Sequence, residues 1–153
     1  MMPESTNPFS TYPGGGRHLL GRVRGANCRR EYGLRHQQVT GQNTCGYCGK
    51  SLVDSYDHWL QMAYDHVVPA NVGAAATIPT EWMDDMINRV LSCVACNGFK
   101  NRWKPETPAA CPANLEAFLA LRDSVFAIRK VAIQERHVEE RGFYDKRPWE
   151  GIR

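Results

Sequence analysis

The sequence predicts a small α+β domain with a basic N-terminal extension and a long C-terminal helix. Two strand candidates and a short helix occupy the middle of the chain, and an apolar stripe with helical spacing occupies the last third. Two Cys-x-x-Cys pairs, Cys45–Cys48 and Cys93–Cys96, enclose the strand candidates. The 153 residues are enough for one ordinary domain with one modest core.

The composition is that of a globular protein, with 42% hydrophobic and 23% charged residues. No stretch approaches the roughly 18 apolar residues of a membrane span. Residues 1–16 lack the apolar segment of a secretory signal peptide. Six cysteines without such a signal favour metal binding over disulfides. We therefore expect an intracellular, cytoplasmic protein with no membrane partner.

The N-terminal part is predicted to be a flexible tail over residues 1–16, rich in Pro, Ser, Thr and Gly. A single domain would then span residues 17–153. Its basic start, residues 17–43, contains a candidate helix over Asn27–Gln38, although Gly33 weakens it.

Charge is unevenly distributed along the chain. Residues 1–50 carry seven basic residues against two acidic ones, whereas residues 51–92 carry one against six. A basic exterior around an acidic middle suits a protein that contacts phosphates and holds a cation. The same pattern also fits an ordinary mixed surface.

The two predicted strands are Trp59–Val68, which is rich in β-formers and ends before Pro69, and Asn88–Ser92. Around them the sequence predicts a loop over residues 70–80, a helical turn over Glu81–Asp85 with Thr80 as its cap, and a helix over Val94–Trp103 that stops before Pro105.

A long helix is predicted from the cap Asn114 to about Glu140, within a C-terminal extension over residues 113–141. Its apolar stripe is Leu115, Phe118, Leu119, Val125, Phe126, Ala132 and Ile133. Its polar face holds Arg122, Arg129, Lys130 and Arg136. We expect the stripe to lie in the core, and a homodimer interface is the alternative.

The cysteine pairs predict a structural zinc site. Each short turn delivers two thiolates, and four thiolates close the tetrahedral shell of zinc. The 44 residues between the pairs must then fold back so that their ends meet. A coincidence of cysteines or a redox pair would be the alternative. Cys28 and Cys111 match neither spacing and are expected to be small buried or free thiols. The predicted ligands are Cys45, Cys48, Cys93 and Cys96.

Asp65 and His66 lie inside that insertion and combine a base with a carboxylate. An imidazole with a pKa near ~6.5 can take a proton from water at neutral pH. A carboxylate suits a hard cation such as Mg²⁺. Neighbours on a strand point to opposite faces, so this pair should sit where the strand ends. Taken alone, His66 would more often be a surface or core histidine.

The combined pattern resembles the HNH endonucleases, also called ββα-metal or His-Me finger nucleases, over residues 43–104. It runs Cys45-x-x-Cys48, Asp65-His66-Val67-Val68-Pro69, Asn88, and Cys93-x-x-Cys96-Asn97-x-x-x-Lys100. Asn97 stands where the family name expects its final His, which corresponds to the HNN variant. The resemblance implies a zinc-stabilised, treble-clef-like ββα-metal nuclease unit.

The same resemblance implies a role for each matching residue. His66 would be the general base and Asn88 would hold the loop that carries it. Asp65 and Asn97 would bind the catalytic divalent cation. Contacts to nucleic acid are expected from Lys100, Arg102, Arg29 and Arg30.

The expected function is a metal-dependent DNA endonuclease that uses Mg²⁺ or Mn²⁺ and leaves 5′-phosphate and 3′-hydroxyl ends. One active site would nick one strand. A zinc-stabilised nucleic-acid-binding module without catalysis and a nuclease acting on RNA are the alternatives. Sequence choice would have to come from residues 1–43 or 105–153, which match no DNA-reading module.

Overall fold

The computed structural model describes residues 7–13, 25–100 and 103–152, which form an α+β fold. Two antiparallel strands, β1 (Met62–His66) and β2 (Arg89–Cys93), make its sheet. The register pairs Met62 with Cys93 and His66 with Arg89. The end of β1 therefore lies beside the start of β2, and the second cysteine pair begins where the sheet ends.

Helices surround this sheet. In chain order they are α1 (Gly25–Arg30), α2 (Tyr32–Thr40), α3 (Tyr56–Leu60), α4 (Ala70–Ala75), α5 (Thr80–Met83), α6 (Val94–Lys100) and α7 (Leu115–Asp145). Short 3₁₀ helices occupy Pro8–Thr11, Met86–Asn88 and Pro148–Gly151. No helix among the described residues has the length and apolar character needed to cross a membrane.

Both strands exist, with different limits from those predicted. Trp59 belongs to α3, because the Ser55 hydroxyl accepts a hydrogen bond from the His58 amide at 3.1 Å and starts a helix there. The first strand consequently begins at Met62 and ends at His66, as its Asp-His pair requires. The second strand is displaced by one residue.

The single helix predicted over Asn27–Gln38 is wrong, since the chain breaks at Glu31 into α1 and α2. Gly33 lies where these helices meet: a Cβ there would sit 1.3 Å from the Cys28 carbonyl oxygen. No side chain fits at that contact, so the glycine that weakened the prediction is what lets the two helices turn against each other.

Three other local predictions also changed. The loop predicted over residues 70–80 contains α4, whose first turn is closed by hydrogen bonds from the Val72 and Gly73 amides to the Pro69 carbonyl. Thr80 is inside α5, and Pro79 precedes it without a side-chain cap. Residues 101–102 are not among the described residues, and Trp103 lies outside α6.

The prediction of a flexible tail is wrong for residues 7–13. Phe9 is 8% exposed and packs edge-on against Phe126, with ring centroids 5.2 Å apart. The Tyr12 hydroxyl donates to the Arg89 carbonyl oxygen. An aromatic pair in a segment of otherwise tail-like composition thus ties the N-terminal segment to the core. The rest of the predicted tail lies outside the described residues.

The long helix is confirmed, including its cap: the Asn114 side-chain oxygen accepts from the Ala117 amide at 2.8 Å. Phe118, Val125, Phe126 and Ile133 of the predicted stripe are buried. Two arginines predicted on the polar face are also buried, because they find partners inside: Arg122 is 6% exposed and Arg129 is 0% exposed.

The core has two parts, and α7 contributes to both. One surrounds the sheet and cysteines and includes Phe126 and Ile133. The other includes Val68, Phe118 and Val125 and lies under α4 and α5. Val67 belongs to the first part and Val68 to the second, so the chain directly after His66 is anchored in both.

Candidate functional site

The structure brings together the four cysteines that were predicted to bind zinc. Their sulfur atoms all lie within 4.8 Å of one another, and the sulfurs of Cys48 and Cys93 are 3.9 Å apart. Zinc–sulfur bonds of about 2.3 Å in a regular tetrahedron separate the sulfurs by roughly 3.8 Å. The cluster therefore has the donor set and the dimensions of a structural zinc site. Cys28 and Cys111 are not part of it.

The sheet is what closes this cluster. The first cysteine turn is held by hydrogen bonds from the Cys45 amide to the Lys50 carbonyl and from the Gly49 amide to the Cys45 carbonyl, with Gly49 at φ 77°. The Gly46 amide donates to the Leu91 carbonyl and fixes the turn on β2. Cys93 ends β2 and Cys96 lies one turn into α6.

The thiols are crowded enough to perturb one another. A hydrogen bond with Cys45 lowers the pKa of Cys48 to about 7, and the same partnership raises the pKa of Cys45. Binding a cation would release the remaining protons.

A histidine that sequence reasoning missed also reaches the cluster. His137 of α7 places Nε2 3.1 Å from the Cys96 sulfur, and its ring packs edge-on against Phe99 at 5.0 Å between centroids. The two partners are 41 residues apart in sequence. Only the packing of α7 on α6 brings them together.

His66 lies at the end of β1 with its ring partly exposed. Its Nε2 is 3.1 Å from a carboxylate oxygen of Asp84, and Arg89 lies 3.5 Å from the same oxygen. Burial, and then the positive charge of Arg89, lower the pKa of His66 below its ordinary value. The ring is therefore neutral at neutral pH. A proton on Nε2, shared with Asp84, leaves Nδ1 free to accept another.

Asn88 holds the segment that follows His66. Its side-chain oxygen accepts from the Val68 amide at 2.9 Å, and its side-chain nitrogen donates to the Val68 carbonyl at 3.2 Å and the Met83 carbonyl at 3.0 Å. The Val67 amide donates to the Asn88 carbonyl at 2.8 Å. Asn88 therefore joins the two residues that follow His66 to the start of β2.

Asp65, which was predicted to bind the catalytic cation, lies in a buried ion pair with Arg129. Its side chain is buried, and both carboxylate oxygens accept hydrogen bonds from Arg129, at 2.8 and 3.0 Å. The Tyr47 hydroxyl donates to one of them at 2.5 Å. Alternation along β1 turns Asp65 away from the partly exposed face of His66. The carboxylate that contacts His66 is that of Asp84.

The remaining predicted residues differ in how they are placed. Asn97 is half-buried on α6, next to Cys96, and α6 packs against both strands. Arg29 lies over the Trp59 ring at 5.3 Å, and Arg30 is exposed. Lys100 is the last residue of α6, and Arg102 lies outside the described residues.

In comparisons with known proteins, no family model, no curated protein and no solved structure matches the chain significantly.

Proposed function

We propose that this protein is a metal-dependent endonuclease of the HNH type, in its HNN form, that hydrolyses phosphodiester bonds in DNA. The observation that carries the proposal is the fixation of His66: a neutral histidine at the end of β1, with Asn88 bonded to the two residues that follow it. A four-cysteine cluster at the opposite end of the same two strands supports it.

In the proposed reaction, His66 accepts a proton from water through Nδ1, and that water attacks phosphorus in line with the 3′-oxygen. The bond from phosphorus to this oxygen breaks, and the oxygen takes a proton from solvent to become the 3′-hydroxyl. The carboxylate of Asp84, 3.1 Å from Nε2, holds the ring in the required tautomer and stabilises the imidazolium that forms. Asn88 keeps the backbone after His66 fixed, so that the ring does not have to be oriented at the moment of reaction.

Zinc has a structural part in this proposal, because four thiolates complete its coordination shell. A separate divalent cation, when bound, would supply electrostatic stabilisation of the charge that develops on the phosphate. The oxygen donors proposed for it are the side chain of Asn97 on α6 and a carboxylate, either Asp84, which contacts His66, or Asp65 if it is released from its ion pair with Arg129.

A catalytically inactive zinc-stabilised module that binds nucleic acid is the second candidate. The observation that favours it is the ion pair of Asp65 with Arg129, which removes one expected cation ligand. The partial exposure of His66 and its contact with Asp84 favour the enzyme, since a module that only binds has no need of them.

The test is nicking of supercoiled plasmid by the zinc-loaded protein with Mg²⁺ or Mn²⁺. We expect conversion to the open circle, and we expect His66→Ala to lower the rate by about 100-fold or more, the usual contribution of a general base. His58→Ala is the matched control, because His58 also pairs with a carboxylate, Asp54 at 2.5 Å, but lies on α3.

Two results would contradict the proposed enzymatic function. Equal cleavage by His66→Ala would remove His66 as the base. Retained DNA binding with bound zinc and no cleavage under either cation would favour the binding module.

A further inference from the structure

The feature that the proposed reaction leaves unused is a buried arginine on the C-terminal helix. Arg129 is 0% exposed, and one of its terminal nitrogens lies within hydrogen-bonding distance of four oxygens: 2.8 Å from those of Tyr47, Asp65 and the His66 carbonyl, and 2.9 Å from the Val67 carbonyl. Its other terminal nitrogen donates to Asp65 at 3.0 Å.

The charge of Arg129 is balanced where it lies. Burial lowers the pKa of Arg129, but Asp65 and Tyr47 together raise it above its ordinary value, so the guanidinium stays charged. The ring of Tyr47 lies 5.2 Å from the guanidinium carbon, and the Tyr47 hydroxyl donates to Asp65. Asp65 and Tyr47 together thus hold the guanidinium in one orientation.

The two carbonyls that Arg129 contacts belong to His66 and to the residue after it. Asn88 holds the next stretch of the same segment, through the amide and carbonyl of Val68. The backbone that directs the His66 ring is therefore fixed by the side-chain amide of Asn88, just before β2, and by a guanidinium from α7. Only a planar group with several donors can serve the carboxylate and the carbonyls together.

We propose that Arg129 is a positioning residue: from α7 it fixes the backbone at the end of β1, and with it the direction of the His66 ring, while Asp65 anchors Arg129. The consequence for catalysis rests on the proposed nuclease function. In this arrangement Asp65, which was predicted to bind the cation, acts instead on His66, through Arg129.

The test compares Arg129→Lys with Val125→Ala, which removes buried packing one turn earlier on α7. Lysine keeps the charge beside Asp65 but cannot serve all the acceptors. We expect Arg129→Lys to lower kcat for nicking by about 100-fold with little change in KM, as for a displaced catalytic group. We expect Val125→Ala to lose stability without that loss of kcat.

A second readout uses the free protein without DNA. In Arg129→Lys we expect displaced NMR signals of the His66 ring and faster hydrogen exchange of the Val67 and Val68 amides, neither of which should occur in Val125→Ala. Unchanged His66 signals and exchange in folded Arg129→Lys would overturn the proposal. If wild type does not nick DNA, the nuclease function fails, and the NMR comparison still decides whether Arg129 positions His66.

Discussion

Asp65 and His66 are neighbours in sequence and have different surroundings. His66 is partly exposed at the end of β1 and contacts Asp84, whereas Asp65 is buried in an ion pair with Arg129. Strand alternation separates them. A pattern that places a base and a carboxylate side by side therefore cannot show that the two act on one water or one cation.

Substituting the two aspartates should have different effects on stability. Asp65→Asn leaves the buried charge of Arg129 without its counter-ion, and we expect it to lower the free energy of unfolding by about 3–5 kcal/mol. Asp84→Asn removes a half-exposed carboxylate from His66, and we expect lost nicking activity with little change in stability. Urea unfolding measures the free energy of unfolding, and the plasmid assay measures the nicking activity. A large loss of stability in Asp84→Asn, with none in Asp65→Asn, would contradict these assignments.

At single positions, the sequence was sufficient where the signal is local. Cysteine spacing identified the cluster, and Asn114 identified its helix start. It was insufficient for Arg129, whose partner Asp65 is 64 residues away and whose burial depends on that partner. An arginine on a helix with a mixed pattern was assigned to the solvated face for lack of any local sign to the contrary.

The elements are joined by a second buried polar centre, around His36 of α2. Its Nδ1 is 2.7 Å from the Tyr64 hydroxyl of β1, and its Nε2 is 2.9 Å from the Gln42 side-chain oxygen. The Tyr12 hydroxyl reaches the same Nε2 at 3.2 Å. This one ring therefore connects the N-terminal segment, α2 and the sheet.

We expect low pH to destabilise the folded protein through protonation of His36. Burial lowers the pKa of His36 to about 4. As the pH is lowered, His36 takes up a proton at a higher pH in the unfolded chain than in the folded protein. The free energy of unfolding is therefore at its full value above the ordinary pKa near ~6.5. It falls by about 3 kcal/mol in total as the pH drops from there towards about 4. Urea unfolding of wild type and His36→Gln across this range measures it. A loss of equal size in the variant would contradict the assignment to His36.

The long helix also touches the cysteine cluster, through His137 and the Cys96 sulfur. An N–H donor to a thiolate stabilises its charge and orients the ligand, and loss of such a partner typically weakens metal binding by about 10–100-fold. We expect His137→Ala to weaken zinc binding by that factor in a chelator competition. His58→Ala, with its histidine on α3, should bind zinc as wild type does; equal affinity of all three proteins would contradict the role of His137.

Among the elements, long-range periodicity was the reliable signal and short segments were not. The apolar stripe of α7 extends over many turns, so its helix and buried face were predicted correctly. Short apolar segments such as Trp59–Val68 fit a strand or a helix equally well, and a serine cap decided between them. The strands are defined by each other's register, which the sequence does not contain.

The whole molecule is organised around α7, which packs on both parts of the core and supplies Arg129 and His137 to the two ends of the sheet. The N-terminal segment packs on α7 through Phe9. The centroid of the Phe9 ring also lies 3.9 Å from the Arg122 guanidinium carbon. The part that resembles a nuclease unit is thus completed by residues from outside it.

This arrangement explains why the candidate site was only partly predictable. The sequence singles out His66 and Asn88 by their spacing, and the structure brings them together at one end of the sheet. The groups that set the charge and orientation of His66 are Asp84, Arg89 and Arg129, and these meet only after folding. No periodicity or motif in the sequence joins them.

The central claim is that His66 acts as the base in cleavage of DNA. The most direct measurement is the single-turnover nicking rate as a function of pH, for wild type and His66→Ala. Because the pKa of His66 lies below its ordinary value, we expect the wild-type rate to rise through the acidic range and to level off by neutral pH. We expect His66→Ala to be slower by about 100-fold or more on that level part. A variant as fast as wild type, or a wild type that does not nick DNA at any pH, would contradict the claim.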